Sequence, residues 1–299
     1  MNLAFRIHML TVLSLFLLSG CSDEVADSGA DAGPPMTAMC DESGGSQMTL
    51  VRTLSFIVEE SDGVAEGFDL DGVISDGSEA ETCMQQDQTS PDGTPGIDNS
   101  FASLWSNLRM LLPEVQSVDS YIQRAIEEGQ ILLLLEISGV DDPMNDDCVN
   151  LTLRRGVGVP MLGTDGLISP RQTFDVDPAG PVSVAYGASI VNGVVEGGPV
   201  GLQIPVRLLN LDFTLDVQNT RFRFSLDPDS NTEGFFSGAT RWQDILDQIA
   251  DRDDVSTSTK NLVRGQLLSN ADLSPDETGV CQEISAGFKF DGVAAFTFD

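Results

Sequence analysis

From Thr49 to the C-terminus, apolar and polar side chains alternate with a period of two, which is the pattern of strands that bury one face and wet the other. Two such stretches adjoin. Leu211, Phe213, Leu215 and Val217 alternate with Asp212, Thr214 and Asp216, and Phe222, Phe224 and Leu226 alternate with Arg221, Arg223 and Ser225. The apolar phase changes between them. A two-residue turn at Gln218-Asn219 accounts for the change and pairs Leu215 with Phe222 and Phe213 with Phe224 across a hairpin. Similar alternation occurs at Leu50/Leu54/Phe56/Val58, Val149/Leu151/Leu153, Val182/Val184/Tyr186, Val200/Leu202/Ile204/Val206 and Ile284/Ala286/Phe288/Phe290, with Phe296 and Phe298 closing the chain. Pro205 cannot donate to a ladder, so its strand is expected to be an edge or to carry a bulge. The run Ile131–Ile137 is apolar on both sides and predicts a central strand covered on both faces.

Four helical patterns interrupt the strands. Phe101, Leu104, Trp105, Leu108 and Leu112 recur at helical spacing behind Asp98-Asn99-Ser100, and Val118, Tyr121, Ile122, Ala125 and Ile126 do so before Gly129. Trp242, Ile245, Leu246 and Ile249 follow Thr240-Arg-Trp-Gln243, a capping-box pattern, and Leu262, Val263, Leu267 and Leu268 form a weaker fourth. Both tryptophans read as core residues of amphipathic helices. The expected fold is β-rich α+β, with two packed, mainly antiparallel sheets and about four peripheral helices. Residues 48–299 are expected to form a single domain, with a subdomain split near residue 155 as the alternative.

The N-terminus carries an address. Arg6 precedes the apolar stretch Met9–Leu18, which is too short to span a membrane and reads as a secretion signal covering residues 1–20. The tail Leu18-Ser19-Gly20-Cys21 resembles the lipobox of bacterial lipoproteins. That resemblance implies acylation of Cys21, cleavage before it, and, with Ser22 following, sorting to the outer membrane. Residues 21–47 are rich in Asp, Ser, Ala, Gly and Pro and predict a flexible tether that cannot bury a core. Four cysteines remain in the exported chain, Cys40, Cys83, Cys148 and Cys281, an even number that reads as two disulfides with three pairings open. The expectation leans to Cys83–Cys148 and Cys40–Cys281.

Charge and histidine content exclude whole classes of function. The chain has 47 acidic and 15 basic side chains, and without Arg6 the exported part holds 14 − 47 = −33 formal charges. Nucleic-acid binding requires the opposite sign. The single histidine, His8, lies in the leader, so the mature chain has no imidazole base, no His metal ligand and no Ser-His-Asp system.

What chemistry remains lies in acidic loops. The first holds Asp69, Asp71 and Asp76 around Gly72 and Gly77. The second holds Asp87, Asp92, Asp98 and Asn99. The third runs from Asp141 to Asp147, and the fourth from Asp227 to Glu233. Calcium takes six to eight oxygens from carboxylates, amides and main chain on loops that glycine lets bend. Asp69, Asp71, Asp76, Asp92, Asp98 and Asn99 are therefore the candidate ligands for Ca2+, although the spacing is not that of an EF-hand. The segments Gly67-Phe-Asp-Leu-Asp-Gly72, Ser90–Asn99, Asn270-Ala-Asp-Leu273 and Cys281-Gln-Glu-Ile-Ser285 resemble those of acidic lipoproteins of myxobacterial type. The likeness implies a cell-envelope lipoprotein and no particular activity. The functional expectation is a membrane-anchored, non-enzymatic binding or structural protein whose partner is an envelope protein or a carbohydrate. The alternative is a carboxylate-dependent, glycosidase-like hydrolase acting on envelope or extracellular polysaccharide.

Overall fold

The structure, a computed structural model, describes residues 39–111, 118–208, 211–226, 231–250, 252–253 and 255–298. The leader, Cys21 and residues 22–38 lie outside the described residues, as do Asp227 and Asp229 of the fourth acidic loop. In chain order the elements are β1 (Gly45–Phe56), β2 (Gln88–Thr89), β3 (Pro95–Ile97), α1 (Ser100–Leu111), α2 (Val118–Glu127), β4 (Leu133–Val140), β5 (Asn145–Val157) and β6 (Gln172–Val176). There follow β7 (Val182–Val191), β8 (Val194–Leu208), β9 (Leu211–Leu226), β10 (Asn231–Arg241), α3 (Trp242–Ala250), α4 (Thr257–Ser269), β11 (Leu273–Pro275) and β12 (Cys281–Thr297). Thr37–Asp299 cluster as one compact unit, and residue 155 falls inside β5 rather than at a boundary. Order begins earlier than residue 48: β1 starts at Gly45, and Cys40 is buried in a disulfide.

The strands close into a barrel, which corrects the expectation of two packed sheets. β12 pairs with both β10 and β1, and β5 pairs with both β4 and β7, so the order β1-β4-β5-β7-β8-β9-β10-β12 returns to β1 with every neighbour antiparallel. A period of two states only that each strand has an apolar face. It fits a face turned to a second sheet and a face turned to a barrel axis equally well.

Register shows how the interior is filled. One row crosses five staves as Gly197, Phe222, Phe236, Phe288 and Phe56, and the next as Val195, Phe224, Gly234, Phe290 and Leu54. Ring centroids in the first row are 5.5 Å (Phe222–Phe236), 5.1 Å (Phe236–Phe288) and 4.6 Å (Phe288–Phe56) apart. In the second, Phe224 and Phe290 meet edge to face at 5.9 Å across the intervening Gly234. A Cβ on Gly234 would run into the Cβ of Phe224 and the carbonyl of Arg223, so that glycine lets the two rings approach. Gly197 in the first row and Gly234 in the second leave room for these rings in a narrow barrel.

The hairpin expected at Gln218-Asn219 is also corrected. β9 runs unbroken through these residues, pairing Leu215 with Ile204 and Phe224 with Val195 on β8. Against β10 the register slips by one residue between Arg221 and Gln218, against β8 it shifts at Thr220 and is restored at Val217 because β8 is irregular there too, and Asn219 takes φ 53°. A bulge therefore flips the alternation without reversing the chain, and Asn is among the few side chains that tolerate the left-handed conformation.

Pro205 lies where β8, having left β7 beyond Glu196, is paired only with β9, as an edge proline requires. The doubly apolar β4 is covered on both faces. Leu135 and Ile137 face the barrel axis, and Leu134 is buried on the outside under the β5–β6 segment. All four helices form close to their expected spans. β1 and β10 end at the same mouth, where α2 contacts the opposite staves β1 and β8 and α1 sets Phe101 and Trp105 each 4.8 Å from Phe56. Trp105 and Trp242 are both core residues. Thr240 lies within β10 and donates its hydroxyl to the Asp216 carbonyl rather than capping α3. Among the described residues, no helix is long and apolar enough to cross a membrane.

Two disulfides join Cys40 to Cys148 and Cys83 to Cys281, with Cα atoms 5.5 and 5.9 Å apart. The expected pairing was the other way round. The segment before β1 runs along the outside of β4–β5, where the main chain of Cys40 exchanges two hydrogen bonds with the Asn150 amide, so Cys148 rather than Cys281 is within its reach.

Candidate functional site

The long connection from β1 to α1, residues 57–99, folds back over the outer wall of β9–β10. Phe68 anchors it there, 5.2 Å from Phe235, with the guanidinium groups of Arg221 and Arg223 each 5.5 Å from its ring. Such cation–ring contacts hold a loop at modest cost because the arginines stay wet. Cys83 staples the far end of the loop to the start of β12.

This anchoring brings two stretches, remote in sequence, side by side. Asp98 donates its N–H to the Phe68 carbonyl (3.0 Å), and its carboxylate accepts from the N–H of Leu70 (2.6 Å) and Asp71 (3.3 Å). Asp69 caps the Gly72 N–H (2.6 Å), Asp71 caps the Val73 N–H (2.8 Å), and Gly72 turns the chain at φ +80°. One oxygen from each of Asp69, Asp71 and Asp98 then lies within 4.8 Å of the other two. Asp98 is 3% exposed, whereas Asp69 is half-buried and Asp71 exposed.

The electrostatics are those of acids crowded without compensation. Burial pushes the Asp98 carboxyl up to about 8; the Leu70 N–H opposes this, and the fields of Asp71, Asp272 and Asp87 add to it. Burial likewise raises Asp87 to about 6, against the pull of the Ser75 N–H (2.6 Å). Asp71 is raised by partial burial of its carboxyl and by Asp69, against the Val73 N–H. Behind them lies Asp272, buried and pushed up to about 7, accepting from the Ser285 N–H (2.8 Å) and from the Ser285 hydroxyl. Ser285 accepts in turn from the Ser100 N–H (2.8 Å), so the network ties β12 to the start of α1.

Of the six candidate ligands, the structure brings Asp69, Asp71 and Asp98 together and leaves three apart. Asp76 sits on an exposed turn and caps the Ser78 N–H (3.1 Å). Asp92, also exposed, is occupied by Ser90 and Thr94, whose hydroxyls hold it below the usual carboxylate range. Asn99 is buried but turned toward Glu66, whose carbonyl its amide reaches at 2.9 Å. Two acids outside the candidate set, Asp87 and Asp272, belong to the same electrostatic neighbourhood. Asp272 had only a weak signal, an acid set between Ala271 and Leu273.

The third acidic loop lines an open cleft with Asp41 and Cys148. There burial pushes Asp146 upward, but the N–H groups of Asp141, Cys148 and Asp142 hold it below its ordinary range. That carboxylate is satisfied by its own loop. No protein-family profile, curated protein or solved structure matches this chain.

Proposed function

We propose that the protein is a lipid-anchored component of the bacterial outer membrane that binds or scaffolds rather than catalyses, and that calcium at Asp69, Asp71 and Asp98 orders the 57–99 loop against the barrel. The anchor rests on the Leu18-Ser19-Gly20-Cys21 lipobox and the leader before it. The calcium reading is carried by one observation: three carboxylate oxygens from loops 27 to 28 residues apart converge within 4.8 Å. Two oxygens on one calcium ion stand no more than about 5 Å apart, given bond lengths of about 2.3–2.6 Å. Main-chain carbonyls and water would complete the shell. The ion's role is structural, since it would neutralise the repulsion that raises Asp98 and Asp71.

Two features support a non-enzymatic role. The barrel axis is filled by phenylalanine rings, and Asp98, the acid with the most perturbed titration, lies beneath the Leu70–Asp71 backbone where no sugar oxygen reaches it. A glycosidase-like use of these acids is therefore the weaker alternative. Its partner would be envelope or extracellular polysaccharide, whereas the binding reading takes an envelope protein or carbohydrate.

The test is thermal unfolding of the mature chain in EDTA, in millimolar calcium, in millimolar magnesium, and in sodium chloride at matched ionic strength. A calcium-specific rise is expected, about 2.7 kcal/mol at a hundredfold excess over Kd, and lost in Asp69→Ala/Asp71→Ala. An equal rise in every salt would mean that only charge screening is at work.

A further inference from the structure

After pairing with β1, the end of β12 leaves the barrel and runs beside β6, which also pairs with the end of β5. These three pieces make a small overlay on the outside of the β1–β4 wall, sealed below by Phe174, Ile168 and Leu134. Its upper face is apolar and wet. Register puts Val157, Asp175, Thr173, Phe296 and Phe298 on that one face, and Gln172 holds Met161 at its rim through hydrogen bonds of 2.7 and 2.9 Å. Phe296 is 53% exposed, Phe298 65% and Met161 67%. We propose that this face lies against the lipid surface to which the chain is anchored, as a membrane-docking face. The inference rests on the lipoprotein reading.

Three observations select that occupant. First, residues 156–175 carry two acids, Asp165 and Asp175, against one base, Arg171, and residues 294–298 carry neither, a net of −1 over the overlay in a mature chain of −33. The face is thus a near-neutral island, fit for zwitterionic lipid, and the rest of the surface would repel a second copy. Second, the anchor leaves from the same side. Cys40 lies on the outside of β4–β5 through Asn150, Met39 before it is exposed, and Gly44 after it abuts Gly139 and Val140 just before β1 begins. Third, the anchor relaxes the affinity required. A short tether between Cys21 and Met39 would hold the face at an effective concentration on the order of millimolar, so a few exposed phenylalanines suffice.

The mature chain with Cys21→Ala and a hexahistidine tag in front can be held on phosphatidylcholine vesicles through a nickel-chelating lipid, which supplies an anchor whether or not Cys21 is acylated in cells. Amide exchange at residues 157–162 and 295–298 should slow about tenfold relative to the free chain, while the 57–99 loop is unchanged. Phe296→Ser/Phe298→Ser should abolish the slowing with the protein still tethered and its melting temperature unaltered. Unchanged exchange on vesicles, or slowing confined to another face, overturns the proposal. So does slowing that appears without lipid as concentration rises, which would assign the face to a second copy. Absence of fatty acid on Cys21 in cells would overturn the anchor separately, because the vesicle measurement does not depend on it.

Discussion

Asp272 lets burial be tested through pH alone. It is 5% exposed, its oxygens accept from the Ser285 N–H and hydroxyl, and its carboxyl is pushed up to about 7 chiefly by burial. In the unfolded chain the same group titrates near 3.8. Between these values the native state holds a proton that the unfolded state has lost, so the unfolded state binds fewer protons and stability must fall as pH rises. The slope is about 1.4 kcal/mol per pH unit and tapers near pH 7, which amounts to about 2.3 kcal/mol from pH 5 to 7 and about 0.4 kcal/mol more by pH 9. Asp272→Asn removes this titration and keeps the shape. Urea midpoints of the two chains should be compared at each pH from 5 to 9 in EDTA, so that self-repulsion among the other acids cancels in the difference. The wild-type chain should lose about 2–3 kcal/mol relative to the variant between pH 5 and 7, then hold a constant offset. A difference that stays flat across this range would mean that Asp272 is ionised in the fold throughout, and the burial argument would fail.

Other consequences can be measured directly. Phe224→Ala should cost about 3–5 kcal/mol because the ring fills the barrel axis, whereas Phe296→Ala on the wet overlay should cost under about 1; equal losses would mean the inner and outer faces are misassigned. Peptide mapping without reduction should recover Cys40 with Cys148 and Cys83 with Cys281, and Cys83→Ser/Cys281→Ser should cost about 2–5 kcal/mol; any other linkage refutes the arrangement. A clickable fatty acid should label the wild-type chain in cells and leave Cys21→Ala unlabelled and released, and equal behaviour of the two would sink the anchor.

Alternation, helix spacing and the doubly covered β4 could all be read from the sequence because each is a local pattern with a local cause. Closure could not. Pairing β1 with β12 joins Leu54 to Phe290 and Thr49 to Ala294, and nothing along either strand names its partner. The error at Gln218-Asn219 is instructive. A change of apolar phase has two physical sources, a reversal or an inserted residue, and Asn suits either because it tolerates φ > 0. The structure uses the other source, with Asn219 as the inserted residue and Thr220 buried immediately after it. A two-residue hairpin would also have needed φ > 0 at two positions, for which glycine is the usual supplier, and Gln218 is a poor candidate.

The acidic site divides along the same line between local and remote. Asp76 and Asp92 looked like ligands by composition, yet each has a serine or threonine two residues away that satisfies it within its own turn. An aspartate in Asp-x-Ser or Asp-x-Thr spacing is already bonded and gains little from an ion. Asp69 and Asp71 are capped in the same local way, by Gly72 and Val73, but Asp98 is drawn across from a stretch 27 to 28 residues on, and its arrival converts two turn-capping acids into a cluster. Asp98 stands two residues before Ser100, with Asn99 between it and α1. Here it turns outward to the Leu70 and Asp71 N–H groups, and Ser285 takes the Ser100 N–H at the start of α1. Asp98 thus brings a carboxyl that burial has pushed up to about 8 into a loop that already holds two acids. A cation there would let all three ionise together, which is why the cluster, rather than the most acidic stretch of sequence, is where a cation would do the most for the fold.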